Sequence, residues 1–187
     1  MIPLAFINYG GIQAIQTLWA GPWMLNISGY TPLQSATGLF WINITMLISY
    51  FIWGYILPKI SDYGINSIKL IKLGLPISYF SLSLIIYFGN NAGAFLFTIY
   101  IMTSIVISLT QPAIALNFSK NLAGKSLTSY NVFLFSGTFF MQWGIGLVID
   151  LCNNNGFDIL SSYRISFSVF LILCVLSYIF FIYLNKN

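Results

Sequence analysis

The 187-residue chain is too poor in charge to cover itself with a polar surface: 5% of its residues are charged and 58% are hydrophobic, against about 25% charged in a soluble domain. Its net charge of +4, with no histidine and three aspartates, offers no compact basic surface for nucleic acid and no carboxylate pair or metal cluster for catalysis. The composition predicts a membrane protein that is not an enzyme and holds no cofactor or metal.

Four charge-free stretches set the number of predicted helices. Residues 1–58 and 73–119 are each long enough for two spans, and residues 126–149 and 165–185 for one span each, since a span needs about 20 apolar residues. We predict a single all-α domain of six transmembrane helices, near residues 3–24, 32–57, 68–88, 92–117, 127–150 and 164–184. The apolar runs do not alternate as the strands of a transmembrane β-barrel would.

The first predicted helix is more polar than contact with lipid requires. Side chains three or four residues apart share one face of a helix, and one such stripe contains Tyr9, Gln13, Gln16 and Trp19. Gly21 and Pro22 follow it, and proline weakens a helix one turn earlier. The sequence therefore predicts a polar face and a bend in this helix.

The charged loops predict the orientation of the helices. Cations gather between the second and third helices, between the fourth and fifth, and after the sixth: Lys59, Lys69, Lys72, Lys120, Lys125 and Lys186. The other loops contain only Arg164 as a cation. Because lysine and arginine accumulate on the cytoplasmic side, we predict that both termini are cytoplasmic.

Two later helices carry further polar stripes. The stripe of the fourth helix precedes Pro112 and contains Tyr100, Ser104, Ser108 and Gln111; that of the fifth contains Asn131, Thr138 and Gln142. Such residues either join helices by hydrogen bonds, worth about 0.6 kcal/mol each in measured bundles, or line a cavity. Both interpretations stay open, although buried amides are harder to satisfy by packing than hydroxyls.

Three segments of the chain resemble one family. They are QTLWAGPW (16–23), WGYILPKISDYGI (53–65) and AGKSLTSYNVFLFSGTFFMQWGIGLVID (123–150), and they resemble helices seven to twelve of bacterial major facilitator superfamily transporters. Gly54 and Lys59 match the loop signature of that family. Pro58 stands where an aspartate is usual and Tyr63 replaces a basic residue, which departs from the charged gating loop of the family.

The resemblance implies one six-helix half of an alternating-access transporter in a bacterial plasma membrane, built as an inverted 3+3 repeat. It implies that the cavity for a small, uncharged solute is lined from Gln13, Gln16, Trp19, Tyr100, Ser104, Ser108, Gln111, Asn131 and Gln142. Gating or hinge roles are implied for Gly21, Pro22, Gly54, Lys59 and Pro112, and an aromatic rim at the outer interface for Trp19 and Trp23.

The family's transporters have twelve helices, so the resemblance also implies a partner. We expect the chain to be a fragment of an interrupted gene, or a half that pairs with a separate N-terminal half or with itself. On its own it should not transport. The alternative is a six-helix scaffold or assembly protein without transport activity, which would tolerate changes in the polar stripes.

Overall fold

The computed structural model of the protein describes residues 1–185, without the side chain of Lys120. Within these residues the fold is entirely helical and contains no strand. Lys186, which the charge pattern places with the other lysines, lies outside the described residues.

The described chain contains eight α-helices and three irregular turns. The α-helices are α1 (Ile2–Ala14), α2 (Ala20–Asn26), α3 (Pro32–Ser61), α4 (Ser67–Phe88), α5 (Ala94–Ser104), α6 (Thr110–Ala115), α7 (Lys120–Asn154) and α8 (Ile159–Leu184). The irregular turns are the π turn Ile15–Trp19 and the 3-10 turns Gly89–Asn91 and Ile105–Leu109.

Five helical segments of the described chain are long and apolar enough to cross a membrane, as expected of an integral membrane protein. They are Pro32–Ser61, Ser67–Asn91, Ala94–Ala115, Asn121–Asn154 and Ile159–Leu184. The remaining predicted span, residues 3–24, coincides with α1, the π turn and α2, which follow one another without a break. We call this stretch the first run; the π turn divides it into α-helices too short to span alone.

Three helices extend beyond their predicted spans. α3 continues through Pro58 to Ser61, α7 begins at Lys120 instead of residue 127, and α8 begins at Ile159 instead of residue 164. Charge marks where the apolar layer ends, whereas a helix continues into the polar region for as long as its backbone stays hydrogen-bonded. The sequence therefore located the spans but not the ends of these helices.

Side chains cap the helices at several of their first turns. The Thr31 hydroxyl accepts a hydrogen bond from the Gln34 N–H, and the Gln34 side chain accepts one from the Thr31 N–H, at 3.3 and 2.9 Å. Asn66 accepts from the Lys69 N–H at 2.9 Å, and Asp158 accepts from the Ser161 N–H at 3.1 Å. These bonds satisfy amides that have no partner within the helix.

The closest helix contact joins α1 to α7. Gly10 faces the backbone of Gly137 so closely that a Cβ on either residue would collide with the other helix. Gly11 likewise leaves room for the ring of Phe170 on α8. Small residues allow backbones to approach in this way, and the resulting van der Waals contacts are a main source of stability between helices in lipid.

Trp23 forms the centre of an aromatic cluster inside the bundle. Its ring stacks on Phe167 at 4.9 Å and lies edge-on to Phe97 and Tyr163 at 5.9 Å. Its indole N–H donates to the Ala92 carbonyl at 3.1 Å, and the side chain is fully buried. The predicted place in an interfacial rim is therefore wrong for Trp23, because the turn before α5 supplies the acceptor that lets the indole enter the core.

α4 and α8 are joined at both ends. At one end the Arg164 guanidinium donates to the Ile86 and Tyr87 carbonyls, each at 2.8 Å. At the other end the Lys72 ammonium donates to the Asn185 carbonyl at 2.5 Å. The last carbonyls of α4 thus find a charged donor on α8.

Candidate functional site

A cavity of about 560 Å³ lies between α1, the second half of α3 and the Ile105–Leu109 turn with α6. We call it the central cavity. Its lining residues are Tyr9, Gln13, Met46, Tyr50, Trp53, Gly54, Leu57, Ser108, Leu109, Gln111 and Pro112. Because Gln13 follows Tyr9 by one turn, both side chains lie on the same face of α1, and the Gln13 amide donates to the Tyr9 hydroxyl at 3.2 Å.

Five of the residues predicted to act in transport meet in this cavity. Gln13, Ser108 and Gln111 contribute amide and hydroxyl side chains to its lining, and Gly54 and Pro112 form part of its wall. No lining residue is charged. The arrangement can hydrogen-bond a small neutral solute but offers no counter-ion for a charged one.

Gln16 lies one turn beyond Gln13 and does not line the central cavity. Its amide N–H donates to Asn43 Oδ1 at 2.5 Å, and the Asn43 amide donates in turn to the Leu39 carbonyl at 2.8 Å. Gln16 Oε1 is buried and has no hydrogen-bond partner among the described residues. Gln16 therefore joins the π turn to α3 but leaves one buried acceptor without a donor, which costs roughly 1–3 kcal/mol.

The π turn is held by hydrogen bonds to two neighbouring helices. Besides the Gln16 bond to α3, the Thr17 hydroxyl accepts from the Gln142 amide at 2.9 Å, and the Trp19 indole donates to the Gln142 carbonyl at 3.1 Å. Gln142 and Trp19, both predicted to line a cavity, thus connect the π turn to α7. Gly21 and Pro22 follow in α2, where the Ser35 hydroxyl donates to the Gly21 carbonyl at 3.4 Å.

The remaining predicted residues do not line the central cavity. Tyr100 and Ser104 are buried inside the bundle, and Asn131 is half-buried on α7. Lys59 is exposed at the end of α3, where its ammonium lies 3.8 Å from the centre of the Tyr55 ring and donates to the Tyr55 hydroxyl. The stripe on the fourth predicted helix is therefore split: its first two residues pack, and its last two face the cavity.

Sequence reasoning missed the α3 wall of the cavity. Met46, Tyr50, Trp53 and Leu57 follow one another at four-, three- and four-residue spacing, which is the signal of a single helix face. The sequence does not single out this face, because its side chains are largely apolar, as are the lipid-facing residues around them.

A buried polar cluster away from the cavity was also missed. The Tyr79 hydroxyl on α4 donates to Asn8 Oδ1 at 2.9 Å, and the Asn8 amide donates to the Ser177 hydroxyl at 3.0 Å. These bonds connect α1, α4 and α8. Within the described residues, no three His, Cys, Asp or Glu side chains lie close enough to hold a metal ion.

Comparisons with protein-family models, with curated proteins and with solved structures found no match. The resemblance to the major facilitator superfamily therefore depends on the three sequence segments alone. The assignment of a function depends on the residues and on the central cavity.

Proposed function

We propose that this chain is one six-helix half of a secondary transporter that moves a small uncharged solute across a bacterial cell membrane by alternating access. In this proposal the first run also crosses the membrane, which brings the number of spans to six. A second six-helix half completes the solute pathway. The chain performs no enzymatic reaction and needs no cofactor. The observation that carries the proposal is the uncharged polar lining of the central cavity within a largely apolar bundle.

Part of the helix packing supports an inverted 3+3 repeat, although the α7–α8 contact has no comparable α3–α4 counterpart among the described residues. The first run packs on α7, and α3 packs on α5. If the first three spans are exchanged in order with the last three, the first run takes the place of the α5 span and α7 that of α3. The first contact then becomes the second. The α4–α8 contact is exchanged with itself. Repeats of this kind are typical of secondary transporters.

The irregular turns supply a second argument for the repeat. The π turn ends at Trp19 and the 3-10 turn of the fourth predicted span ends at Leu109. Each is followed three residues later by a proline, Pro22 or Pro112. Interrupted helices at corresponding positions of two repeats commonly border a transporter's substrate site, and Leu109 and Pro112 border the central cavity.

The exposure of two helices supports a partner. In the most apolar part of α3 only 17% of residues are buried, and in α7 22%, compared with 50% in the Ala94–Ala115 span. α3 and α7 correspond to each other in the proposed repeat, and α3 supplies one wall of the cavity. A second half that packs on both helices would enclose the cavity.

Reconstitution tests the proposal. The chain purified with its native partner should take up uncharged solutes into proteoliposomes, and the chain alone should not. Ser108→Leu should abolish uptake by filling the cavity, whereas Ser168→Leu, at a half-buried serine on α8 outside the cavity, should leave it unchanged. Flux through the isolated chain, or equal uptake by both variants, would contradict the proposal.

The alternative is a scaffold that binds another membrane protein without transport. The exposed faces of α3 and α7 favour this alternative as much as the first proposal. The two proposals differ in their dependence on the cavity. If the chain is a scaffold, its Ser108→Leu variant should still bind the partner and keep its function. Partner retention with no uptake in either the original chain or the variant would favour the scaffold.

A further inference from the structure

A second cavity opens on the lipid-facing side of the bundle, between α3, α4 and α5. It has a volume of about 360 Å³ and an almost entirely apolar wall. Ile52, Leu73, Ile77 and Met102 border it and are all exposed, so the cavity is open to hydrocarbon. We call it the lipid-facing groove.

Gly74 brings two walls of the lipid-facing groove together. A Cβ at this position would lie 2.9 Å from the side chain of Val106, so α4 and the Ile105–Leu109 turn meet there without an intervening side chain. The groove is thus a depression in the bundle surface, smaller in volume than the central cavity and suited to a slender apolar chain.

Two lysines lie at one end of the groove. Lys59 follows Ile52 by two helical turns along α3, and Lys69 precedes Leu73 by one turn along α4. α3 and α4 are consecutive and are joined by residues 62–66, so both ammonium groups lie at the same end of the bundle. Both side chains are exposed.

The neighbouring charges leave these two cations available. The hydrogen bond and ring contact with Tyr55 hold the Lys59 ammonium against α3 while one side of it stays open. Lys72 is directed elsewhere, since it donates to the Asn185 carbonyl on the α8 side. Asp62 is the acidic residue of the connecting turn, so the turn together with Lys59 and Lys69 retains a net positive charge.

The groove together with the α3 surface up to Lys59 has the length of one membrane leaflet. Residues 49 to 59 of α3 extend from its far end to Lys59, a distance of about 15 Å at 1.5 Å per residue. The hydrocarbon core of a bilayer is about 30 Å thick, so one leaflet contributes about 15 Å. A fatty acyl chain that fills the groove would therefore bring its headgroup to the two lysines.

We propose that the lipid-facing groove binds an acyl chain of an anionic phospholipid whose phosphate lies between Lys59 and Lys69. This inference does not depend on transport. The groove between α7 and α8 provides an internal comparison: it is apolar, has a volume of about 200 Å³ and includes Gly144 and Leu147. The nearest charged residues along its helices are Asp150 and Arg164, and no lysine borders it. It should bind lipid without preference for a headgroup.

Tryptophan quenching by brominated lipids tests the proposal, because Trp53 lines the lipid-facing groove. The chain is reconstituted in phosphatidylcholine nanodiscs with a minor fraction of brominated phosphatidylglycerol or of brominated phosphatidylcholine. The fluorescence of Trp53 is obtained as the difference in tryptophan fluorescence between the chain and its Trp53→Phe variant. The control signal is that of Trp143, which is 59% exposed on α7 and directly precedes the groove residue Gly144, obtained with Trp143→Phe.

At low salt, Trp53 should report phosphatidylglycerol enriched about thirtyfold over phosphatidylcholine, which corresponds to about 1 kcal/mol for each of two lysines. Lys59→Gln and Lys69→Gln should each lower the enrichment about fivefold, and the double variant should abolish it. Trp143 should show no preference. Equal quenching of Trp53 by the two lipids, quenching by neither, or a preference that survives the double variant would overturn the proposal.

Discussion

α1 and α3 are both strongly apolar, yet one is enclosed by the bundle and the other is largely exposed to lipid. α1 buries seven of its thirteen residues and approaches α7 through Gly10. α3 turns Phe40, Trp41 and Phe51 outward. In lipid, apolar side chains gain little by leaving the solvent, so small residues and hydrogen-bonding groups decide which helix is enclosed. The difference can be tested with paired substitutions.

The largest effect should come from adding one methyl group to the α1–α7 contact. Gly10→Ala places a Cβ against the Gly137 backbone, which cannot give way as a flexible side chain could. We expect a loss of about 3 kcal/mol or more in the free energy of unfolding, at the upper end of overpacking costs. The measurement is unfolding in mixed micelles followed by circular dichroism.

Gly54→Ala on α3 is the matched control, because a Cβ there meets no atom within 4 Å. We expect a change of less than about 1 kcal/mol, in the stabilising direction, since alanine favours a helix over glycine. Equal destabilisation by the two substitutions would show that α1 is not held by close backbone contact.

A similar loss should follow from removing the aromatic centre of the bundle. Trp23→Ala deletes a ring that contacts Phe97, Tyr163 and Phe167, and should cost about 3–5 kcal/mol. Trp41→Ala removes the same side chain from α3, where it is 57% exposed, and should change stability by less than about 0.5 kcal/mol. The midpoint of thermal unfolding in one detergent distinguishes the two.

The smallest effect concerns the caps of α3 and α8. Hydrogen bonds from the Ser161 hydroxyl and N–H hold the pKa of Asp158 below its usual range. A lowered pKa means that the cap stabilises the fold above the pKa of the unfolded chain and loses this contribution as the pH falls through the folded value. The Thr31 cap of α3 does not titrate.

Acidification should therefore weaken the start of α8 while leaving that of α3 unaffected. Asp158→Asn should remove this pH dependence and keep the cap, because asparagine is also a preferred N-cap. Hydrogen exchange at the Ser161 and Gln34 amides, followed across the acid range in both chains, provides the measurement. A pH response at Ser161 that persists in the variant would assign it to another group.

The comparison also explains how much the sequence could predict. Gaps in charge located the five helical segments that are long and apolar enough to cross a membrane, and helical spacing selected Gln13, Ser108 and Gln111, which line the central cavity, because both depend on residues close in sequence. The partner of Gln16 on α3 and the Asn8–Tyr79–Ser177 cluster depend on how distant helices pack. The π turn was out of reach for the same reason, since its hydrogen bonds to α3 and α7 exist only in the assembled bundle.

The link between Arg164 and the end of α4 bears on how the chain is made. The Ile86 and Tyr87 carbonyls receive their charged donor from a residue 77 to 78 positions later in the chain. During synthesis α4 therefore leaves the ribosome before these carbonyls have their donor. They receive it only when Arg164 on α8 has emerged. α4 thus reaches its final state only after the chain has been synthesised as far as α8.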